Sequence, residues 1–246
     1  MAFDGIFMSG IKSELEKNLL GGRVYKVTEP ERDEIILTIK NNSSTYKLSI
    51  SVNPSLSLCM LTDVNKKSPI NAPTFVMLLR KHIQNGKIVS ITQPNVDRVI
   101  DMEIEHMNEL GDMVSVHLCS EFMGKYSNII LCDNEYNILD SIKRVPSTVS
   151  SVREVLPGRK YFIPDGDKLS LDTLNKNELF ESIRDKKCIL QKAIYTSITG
   201  FSPVIANEIC NNAGLPADLP ATSMSSTEIE KLYNALMNLK SRIDND

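Results

Sequence analysis

A strand-like alternation at residues 99–105 limits the fold of this chain more than any other segment. Three apolar residues alternate there with three acidic ones, namely Ile100, Met102 and Ile104 against Asp101, Glu103 and Glu105. A period of two is typical of a strand with one buried face, so the carboxylates are expected on the solvent side. Similar short segments recur between residues 23 and 145, joined by turn-rich connections such as KNNSS and NELGD. This pattern predicts a mostly antiparallel sheet.

Two helices are predicted within this strand-rich region. The first is expected over Ser9–Leu20, and the second, FVMLLRKHIQ, after an N-cap at Thr74 and before Asn85–Gly86. Residues 53–73 contain three prolines and are expected to be irregular. The predicted strands are Arg23–Thr28, Glu34–Lys40, Thr45–Val52, Lys87–Thr92, Val99–His106, Met113–Cys119, Asn128–Cys132 and Asn137–Val145.

From residue 174 the apolar spacing becomes helical. Helices are predicted near Lys176–Arg184, Cys188–Thr196 and Ser202–Asn212, the last with Ser202 as cap and Gly214 as stop. Ser225 and Glu228 form a capping-box pattern before a final helix. Its apolar residues are spaced three and four apart: Ile229, Leu232, Leu236, Leu239 and Ile243. This spacing fits either the start of a coiled coil, in a chain cut short at Asp246, or a terminal helix packed on its own domain.

The composition, 41% hydrophobic and 24% charged residues over 246 positions, is that of an ordinary globular protein. No apolar run approaches the roughly 20 residues that span a bilayer, and MAFDGIFMSG lacks the features of a signal peptide. A cytosolic protein is therefore expected. Its five widely spaced cysteines are expected to be reduced thiols rather than disulfides or zinc ligands: Cys59, Cys119, Cys132, Cys188 and Cys210.

The charge is unevenly distributed along the chain. Residues 1–100 contain 13 Lys and Arg against 9 Asp and Glu, whereas residues 101–166 contain 6 against 11. An excess of basic residues in the first part permits a local basic surface, although such charge usually belongs to a solvated face. Without a nucleophile elbow, P-loop or HExxH pattern, and with three scattered histidines, neither catalysis nor a metal or cofactor is expected.

Two polar stretches lie where local structure does not require them. Asp97 and Arg98 precede the alternation at Val99, either as an ion pair that closes a turn or as a contact to another molecule. The segment EFMGKYSNIIL, residues 121–131, places a glycine and a lysine in a turn before a buried strand. It fits either a close approach to a ligand phosphate or a plain polar connection.

The same residues resemble a known family. FDGIF at 3–7, LLGGRVYKV at 19–27, PTFVMLLRKHIQNGKI at 73–88, DR at 97–98, EFMGKYSNIIL at 121–131, DSIKRV at 140–145 and VREVLPGRKY at 152–161 occur in the order of the NFACT N-terminal domain. PDGDK at 164–168 and FSPVIANEICNNAGL at 201–215 extend the likeness into the helical region. This domain is found in the RqcH family of bacterial ribosome quality-control factors, also labelled fibronectin-binding protein A.

The resemblance implies an α+β fold with a β-rich N-terminal domain like that of formamidopyrimidine-DNA glycosylase. The expected domains are 1–170, a helix-hairpin-helix-like domain at 171–224, and a terminal helix at 225–246. The glycosylase uses an N-terminal proline and an adjacent glutamate, whereas this chain begins Met1-Ala2-Phe3-Asp4, so base excision is not expected. The segment ITGFSP has one glycine where DNA-binding hairpins of this type have two, which weakens the expectation of phosphate binding there.

The resemblance also implies partners and a site. Family members bind obstructed large ribosomal subunits with peptidyl-tRNA and recruit tRNA, chiefly alanine tRNA, for template-free tailing of the stalled chain, while the ribosome performs the peptidyl transfer. The residues that match the family's tRNA-handling motifs are Asp97, Arg98, Glu121, Met123, Gly124, Lys125, Ser127 and Asn128. Arg80 and Lys81 are expected to add nonspecific attraction for RNA. Lys125 replaces the commoner arginine, which keeps the charge but not a planar bidentate donor.

Three functions are thus weighed. A cytoplasmic, tRNA-binding module of ribosome rescue is preferred. A fibronectin-binding adhesin, with some display at the cell surface, is the alternative that the family's older name suggests. A DNA-processing enzyme is suggested by fold analogy alone.

Overall fold

A computed structural model of the chain describes residues 3–164 and 167–245. It divides into two compact units that are discontinuous in sequence. The helical unit comprises Met1–Gly10, Gln93–Arg98 and Asp165–Asp246, and the sheet unit comprises Ile11–Thr92 and Val99–Pro164. Asp97 and Arg98 thus belong with the helices rather than with the strands that flank them. The boundaries at residues 170 and 224 stay predictions, and two residues of the PDGDK segment, Asp165 and Gly166, lie outside the described residues.

The elements confirm the predicted α+β class, a strand-rich part followed by helices. The helices are α1 (Gly5–Leu19), α2 (Thr74–Ile83), α3 (Lys176–Arg184), α4 (Leu190–Ser197), α5 (Pro203–Ala213) and α6 (Ser226–Asn245). The strands are β1 (Arg23–Glu31), β2 (Glu34–Asn41), β3 (Ser44–Asn53), β4 (Leu56–Leu61), β5 (Lys87–Thr92), β6 (Val99–Met107), β7 (Met113–Glu121), β8 (Asn128–Asp133) and β9 (Ile138–Ser141). No helix in the described part of the chain has the length and apolar character that crossing a membrane requires.

The nine strands form one antiparallel sheet in the order β4-β3-β2-β1-β5-β6-β7-β8-β9. Except for β4 and β5, which are connected through α2, consecutive strands are neighbours joined by short loops. Strands β2 and β3, for example, turn through Asn42 and Ser43, with Asn42 at φ 52°. Strands β1 and β5 pair through Arg23 and Lys87 and so join the two halves of the sheet.

Strand β4 corrects the prediction of an irregular segment at 53–73. Pro54 lies in the turn before the strand and not within it, so it does not interrupt the ladder. The strand is at the edge of the sheet and is mostly solvent-accessible, with Leu56 and Met60 exposed. Its apolar residues therefore do not alternate clearly with polar ones, which is why the sequence pattern missed it.

Two helix starts also differ from prediction. Helix α1 begins at Gly5 rather than Ser9 because the Asp4 carboxylate accepts a hydrogen bond from the Phe7 N–H, at 2.8 Å, and caps the first turn. Helix α2 begins at Thr74 itself, and Pro73 is its N-cap without a side-chain hydrogen bond. The predicted stop is confirmed, since Gln84 is the C-cap and Asn85 has a φ of 67°.

The structure of the helical unit confirms three predicted helix caps and shows where the apolar stripe of α6 packs. The Ser202 hydroxyl accepts from the Ile205 N–H, Gly214 ends α5 with φ 65°, and Ser225 and Glu228 form the capping box. The apolar stripe of α6 packs into the core of its own unit, where Ile229, Leu232 and Leu236 are buried and Leu239 and Ile243 partly buried. The terminal helix therefore packs on its own domain, and a coiled coil after it stays a prediction.

Candidate nucleic-acid interface

Residues 93–98 of the helical unit form a loop with an unusual backbone. A short 3-10 turn spans Pro94–Val96, within which Asn95 and Val96 have φ values of 53° and 55°. A positive φ is uncommon outside glycine and is a true outlier for a β-branched residue such as valine. The Gln93 side-chain amide braces the loop by donating to the Asp97 and Gly5 carbonyls, each at 2.7 Å.

Two glycines make this backbone possible. The Gly5 N–H donates to the Gly200 carbonyl at 2.7 Å, so the start of α1 lies against the connection between α4 and α5. A Cβ built on Gly5 would lie 1.8 Å from the Val96 carbonyl oxygen, and one built on Gly200 would lie 2.0 Å from it. Three backbone segments therefore meet at a distance that only glycine allows. The single glycine of ITGFSP is used in this internal contact.

Asp4 ties the same segments together through its side chain. Besides capping α1, its carboxylate accepts a hydrogen bond from the Ser202 hydroxyl at the start of α5, and both side chains are largely buried. No sequence pattern predicted these contacts of Asp4, Gly5 and Gly200. The FDGIF segment was a visible signal, but its partners are about 90 and 195 residues away in the chain.

The structure decides one question about Asp97 and Arg98. The Asp97 carboxylate accepts from the backbone N–H of Arg98, at 2.7 Å, and does not pair with the Arg98 guanidinium. The guanidinium forms no ion pair or side-chain hydrogen bond with the residues that the structure describes. The interpretation of Asp97 and Arg98 as a turn-closing ion pair is therefore wrong, because the aspartate bonds to the backbone instead.

Two lysines of the helical unit add to the charge near Arg98. The Lys168 ammonium donates to the Tyr195 carbonyl at 3.1 Å. Burial and the positive charges of Arg98 and Lys186 lower the pKa of Lys168, while Asp97 raises it. A bound anion relieves such repulsion between like charges. This part of the helical unit is thus suited to a phosphate group.

The segment 121–128 of the sheet unit separates into buried and exposed residues. Glu121 ends β7 and is fully buried, where it pairs with the Arg153 guanidinium and accepts from the Tyr161 hydroxyl at 3.0 Å. Lys125 and Tyr126 are exposed, with the Lys125 ammonium 4.8 Å from the centre of the Tyr126 ring. Gly124, at φ 60°, provides the turn between them and Met123.

Asn128 and Lys143 hold this turn in place. The Asn128 side chain donates to the Lys143 carbonyl at 2.8 Å and accepts from the Lys143 N–H at 3.1 Å. The Lys143 ammonium donates to the Ser127 and Val52 carbonyls, and burial lowers its pKa. Ser127 is buried as well, and its hydroxyl oxygen has no hydrogen-bond partner among the described residues. Glu121, Ser127 and Asn128 therefore support the loop, whereas Met123–Tyr126 form its accessible tip.

Arg80 and Lys81 lie on α2 and have partners within the sheet unit. The Arg80 guanidinium donates to the Val27 carbonyl at 3.1 Å, and the exposed Lys81 pairs with Glu109 at 3.0 Å. Within the described residues they share no hydrogen bond or ion pair with the 121–128 segment. The ten predicted site residues thus fall into three groups: Asp97 and Arg98, the 121–128 segment, and the α2 pair.

A buried polar network on the sheet corrects the expected solvent face of β6. Asp101 is buried, and its carboxylate accepts from the Tyr136 hydroxyl at 2.6 Å and lies 3.1 Å from Nδ1 of His117. The Cys119 thiol also points to it, at 3.7 Å. This network could not be predicted from local sequence patterns, because its members come from three different segments of the chain. Its arrangement, a carboxylate with its donors, stabilises the sheet around a buried charge.

This network gives the stability a pH dependence. The hydrogen bond to Asp101 raises the pKa of His117, with help from the charges of Glu103 and Asp133. Since the folded-state pKa is raised, the added stability is fully present below about pH 6.5 and declines as the pH rises through the folded-state value. We expect the difference in free energy of unfolding between wild type and His117→Gln to shrink between pH 6 and 8. Urea titrations across this range measure it, and a constant difference would contradict it.

Comparison with known proteins places the chain among well-defined relatives. The model of the family described as NFACT N-terminal and middle domains matches residues 4–246. The protein named Rqc2 homolog RqcH from Bacillus subtilis (strain 168) is 36% identical over 217 residues, which are 87% of this chain and 38% of that protein. The chain therefore spans less than two fifths of the length of this relative.

Solved structures of related proteins have a similar fold. The N-terminal part of the fibronectin/fibrinogen-binding protein of Streptococcus suis is 31% identical, with a TM-score of 0.79 over 95% of this chain and 85% of that one. The fibrinogen binding protein of Staphylococcus aureus is 29% identical, with a TM-score of 0.80 over 99% and 83% of the two chains. The MutM (Fpg) protein of Thermus thermophilus aligns at 13% identity and a TM-score of 0.46, too weak a likeness to argue from.

Proposed function

The chain belongs to the family of NFACT N-terminal and middle domains, and from this premise we propose that it is the tRNA-binding part of a ribosome quality-control factor. The relative from Bacillus subtilis is named for its homology to Rqc2, and a human relative, 22% identical over 236 residues, is named a ribosome quality control complex subunit. The whole factor would act at large ribosomal subunits with a stalled chain, in the cytoplasm. No catalytic role is proposed for the chain, since the ribosome would perform the peptidyl transfer.

The observation that supports this proposal most is the state of Arg98. Its guanidinium has no anionic partner among the described residues, and burial, the charge of Arg98 and that of Lys186 lower the pKa of Lys168. A guanidinium can bind a phosphate through two hydrogen bonds or stack on an unpaired base. Asp97, fixed by the Arg98 N–H, retains acceptor capacity for a base amino group or a 2′-hydroxyl.

The tip of the 121–128 segment supports a second contact. Lys125 offers a charge for the phosphate backbone, and the exposed ring of Tyr126 offers a surface on which a base can stack. Glu121, Ser127 and Asn128 would act on RNA through the shape of the loop rather than by touching it. Arg80 and Lys81 would contribute attraction at longer range.

The finer identity of the partners follows from the family likeness. We propose that the tRNA is alanine tRNA and that the outcome is template-free C-terminal tailing of the stalled chain. The large subunit would be engaged together with parts of the factor that its longer relatives possess.

Exchange of both residues, Asp97→Ala with Arg98→Ala, tests the site. We expect the melting temperature to stay within a few degrees, because neither side chain is buried in the core, and tRNA binding to fall at least about 100-fold. A matched control is Lys176→Ala with Glu230→Ala, an exposed acid and base pair of the same unit whose loss also leaves the net charge unchanged. Filter binding with purified alanine tRNA measures the effect. A folded double variant that binds tRNA like the control would refute the assignment.

The salt dependence separates phosphate contacts from specific ones. Lys125→Ala is expected to weaken binding of all tRNAs alike and to reduce the slope of log K against log salt by about one. An unchanged slope would exclude a phosphate contact of Lys125.

Binding to fibronectin is the second candidate function, because the Streptococcus suis relative is named a fibronectin/fibrinogen-binding protein. Immobilised fibronectin distinguishes the two functions. Tight binding that survives the Asp97 and Arg98 exchange and the Lys125 exchange would favour the adhesin, whereas the RNA proposal expects weak binding only.

A further inference from the structure

Three basic side chains lie in a row across neighbouring strands of the sheet. Lys40 on β2 is directly opposite Arg23 on β1, and Arg23 is in turn directly opposite Lys87 on β5. Opposite residues of an antiparallel pair project from the same face with their Cβ atoms about 5 Å apart, so the row spans about 10 Å. All three side chains are exposed. The sheet therefore presents a short line of positive charge to solvent.

The row keeps its charge because its members are held by groups without a net charge. The Arg23 guanidinium donates to the Asn85 carbonyl at 3.0 Å, and the Lys40 ammonium lies 3.7 Å from the centre of the Tyr25 ring. Within the described residues, none of the three members of the row forms an ion pair. The positions of Arg23 and Lys40 are thus fixed while their charges stay available to a ligand.

A second row on the same face adds to this charge. Lys26 is opposite Thr38, which is opposite Lys47. Since Thr38 and Lys40 are two residues apart on β2, both rows lie on one face of the sheet. The acid opposite the end of the first row, Glu105 on β6, forms no ion pair with it. The two rows together contain five basic residues, all from the part of the chain in which basic residues are in excess.

Repulsion within the first row is unfavourable in the free protein. Like charges on directly opposite strand residues are destabilising, and Arg23 has a like charge on both sides. A bound polyanion reverses this balance, because its phosphates attract all of these cations and release their own counterions on binding. The surface therefore gains most from a ligand with several negative charges in a line.

The row is remote from the tip of the 121–128 segment. On β6 the residue opposite Lys87 is Glu105, and the residue opposite Glu121 is Val99, six positions away. Six strand residues extend about 20 Å. The row is therefore a separate surface of the sheet unit rather than an extension of that segment.

We propose that the row of Lys40, Arg23 and Lys87 binds the phosphate backbone of RNA without regard to sequence, as a contact additional to those at Arg98 and Lys125. The inference rests on the proposed function for the choice of RNA among polyanions. A lipid surface is the less suitable ligand, because peripheral membrane binding also requires buried apolar area and no apolar side chain belongs to either row.

A short blunt-ended RNA duplex of mixed sequence tests the contact, because it offers phosphates but no unpaired bases. Lys40→Gln/Lys87→Gln removes both ends of the row and leaves the Arg23 hydrogen bond in place. We expect this variant to bind the duplex about tenfold more weakly and to reduce the slope of log K against log salt by about 1.5. Lys17→Gln/Lys67→Gln is the matched control, since it removes two exposed lysines outside the rows with the same change in net charge.

Thermal unfolding provides a second readout that a merely structural role of the two lysines would not give. Because the exchange removes repulsion, Lys40→Gln/Lys87→Gln is expected to melt about 1–3 °C above the wild type at low salt, and the difference should shrink as salt is added. A melting temperature below that of the wild type would mean that the lysines stabilise the sheet, and would overturn the proposal.

The outcomes distinguish this inference from the proposed function. Duplex binding equal to that of the control, or no duplex binding by the wild type, would overturn the row as an RNA contact even if Asp97 and Arg98 prove essential for tRNA. Conversely, tRNA binding that ignores the Asp97 and Arg98 exchange would refute only that site if duplex binding still requires Lys40 and Lys87. Vesicles of phosphatidylserine and phosphatidylcholine test the lipid alternative. Vesicle binding that requires the two lysines, with duplex binding that does not, would overturn the proposal in favour of a membrane surface.

Discussion

Gly5→Ala is expected to destabilise the helical unit by about 4 kcal/mol or more, which corresponds to a fall in melting temperature of about 10 °C. The added Cβ would lie 1.8 Å from the Val96 carbonyl oxygen and 2.8 Å from the Gly200 Cα, both of them backbone atoms that cannot rotate away. Relief of the clash would also separate the Gly5 N–H from the Gly200 carbonyl, a bond of 2.7 Å. Thermal unfolding followed by circular dichroism measures the effect.

Gly10→Ala is the matched control for this change. Gly10 is on the same helix, and a Cβ there meets nothing within 4 Å. Because alanine is the better helix former, this exchange is expected to stabilise the chain by about 0.5–1 kcal/mol. Equal melting temperatures for the two variants would contradict the close packing of Val96 on Gly5.

Arg153→Met is expected to cost about 3–5 kcal/mol, because it leaves the fully buried Glu121 carboxylate without its cation. The methionine retains most of the side-chain volume, so the loss measures the charge. The exposed pair of Lys81 and Glu109 provides the comparison. Lys81→Met should lower the free energy of unfolding by less than about 1 kcal/mol, since Glu109 remains solvated.

The double variant Glu121→Gln/Arg153→Met separates the pair from its surroundings. It removes both charges, and the glutamine can still accept from the Tyr161 hydroxyl. Much of the lost stability should return, because a buried neutral group is tolerated better than a buried unpaired ion. Urea unfolding of the wild type, Glu121→Gln, Arg153→Met and the double variant completes the double-mutant cycle. A double variant no more stable than Arg153→Met would mean that packing, rather than charge, explains the loss.

The elements that the sequence predicted well depend on neighbouring residues. The bounds of β5 and α3, the caps at Ser202 and Gly214, and the Ser225 capping box all follow from signals within a few positions. Strand β4 was not predicted, because apolar and polar residues need not alternate along an exposed edge strand. The start of α1 was predicted wrongly, because Asp4 was not recognised as its N-cap.

The parts that could not be predicted depend on distant pairs. Nothing near Asp101 indicates that His117 and Tyr136 will cover it, and nothing near Glu121 indicates Arg153, 32 residues later. Periodicity placed these carboxylates on a solvated face or in a turn because it does not report nonlocal partners. The site itself was identified through family likeness, and the contact of Asp97, Arg98 and Lys125 with RNA stays a prediction.

The positive φ angles of Asn95 and Val96 have a consequence for the thermodynamics of the proposed RNA binding. Such backbone states cost on the order of 1–3 kcal/mol each and persist only where the surrounding structure enforces them. Here Gly5, Gly200 and Gln93 enforce them when the helical unit folds. The loop that presents Arg98 is therefore already ordered before RNA arrives, so binding loses little conformational entropy there. RNA affinity and folding stability would then be linked: a change at either of the two glycines that loosens the loop is expected to weaken the proposed RNA binding without removing a single RNA contact.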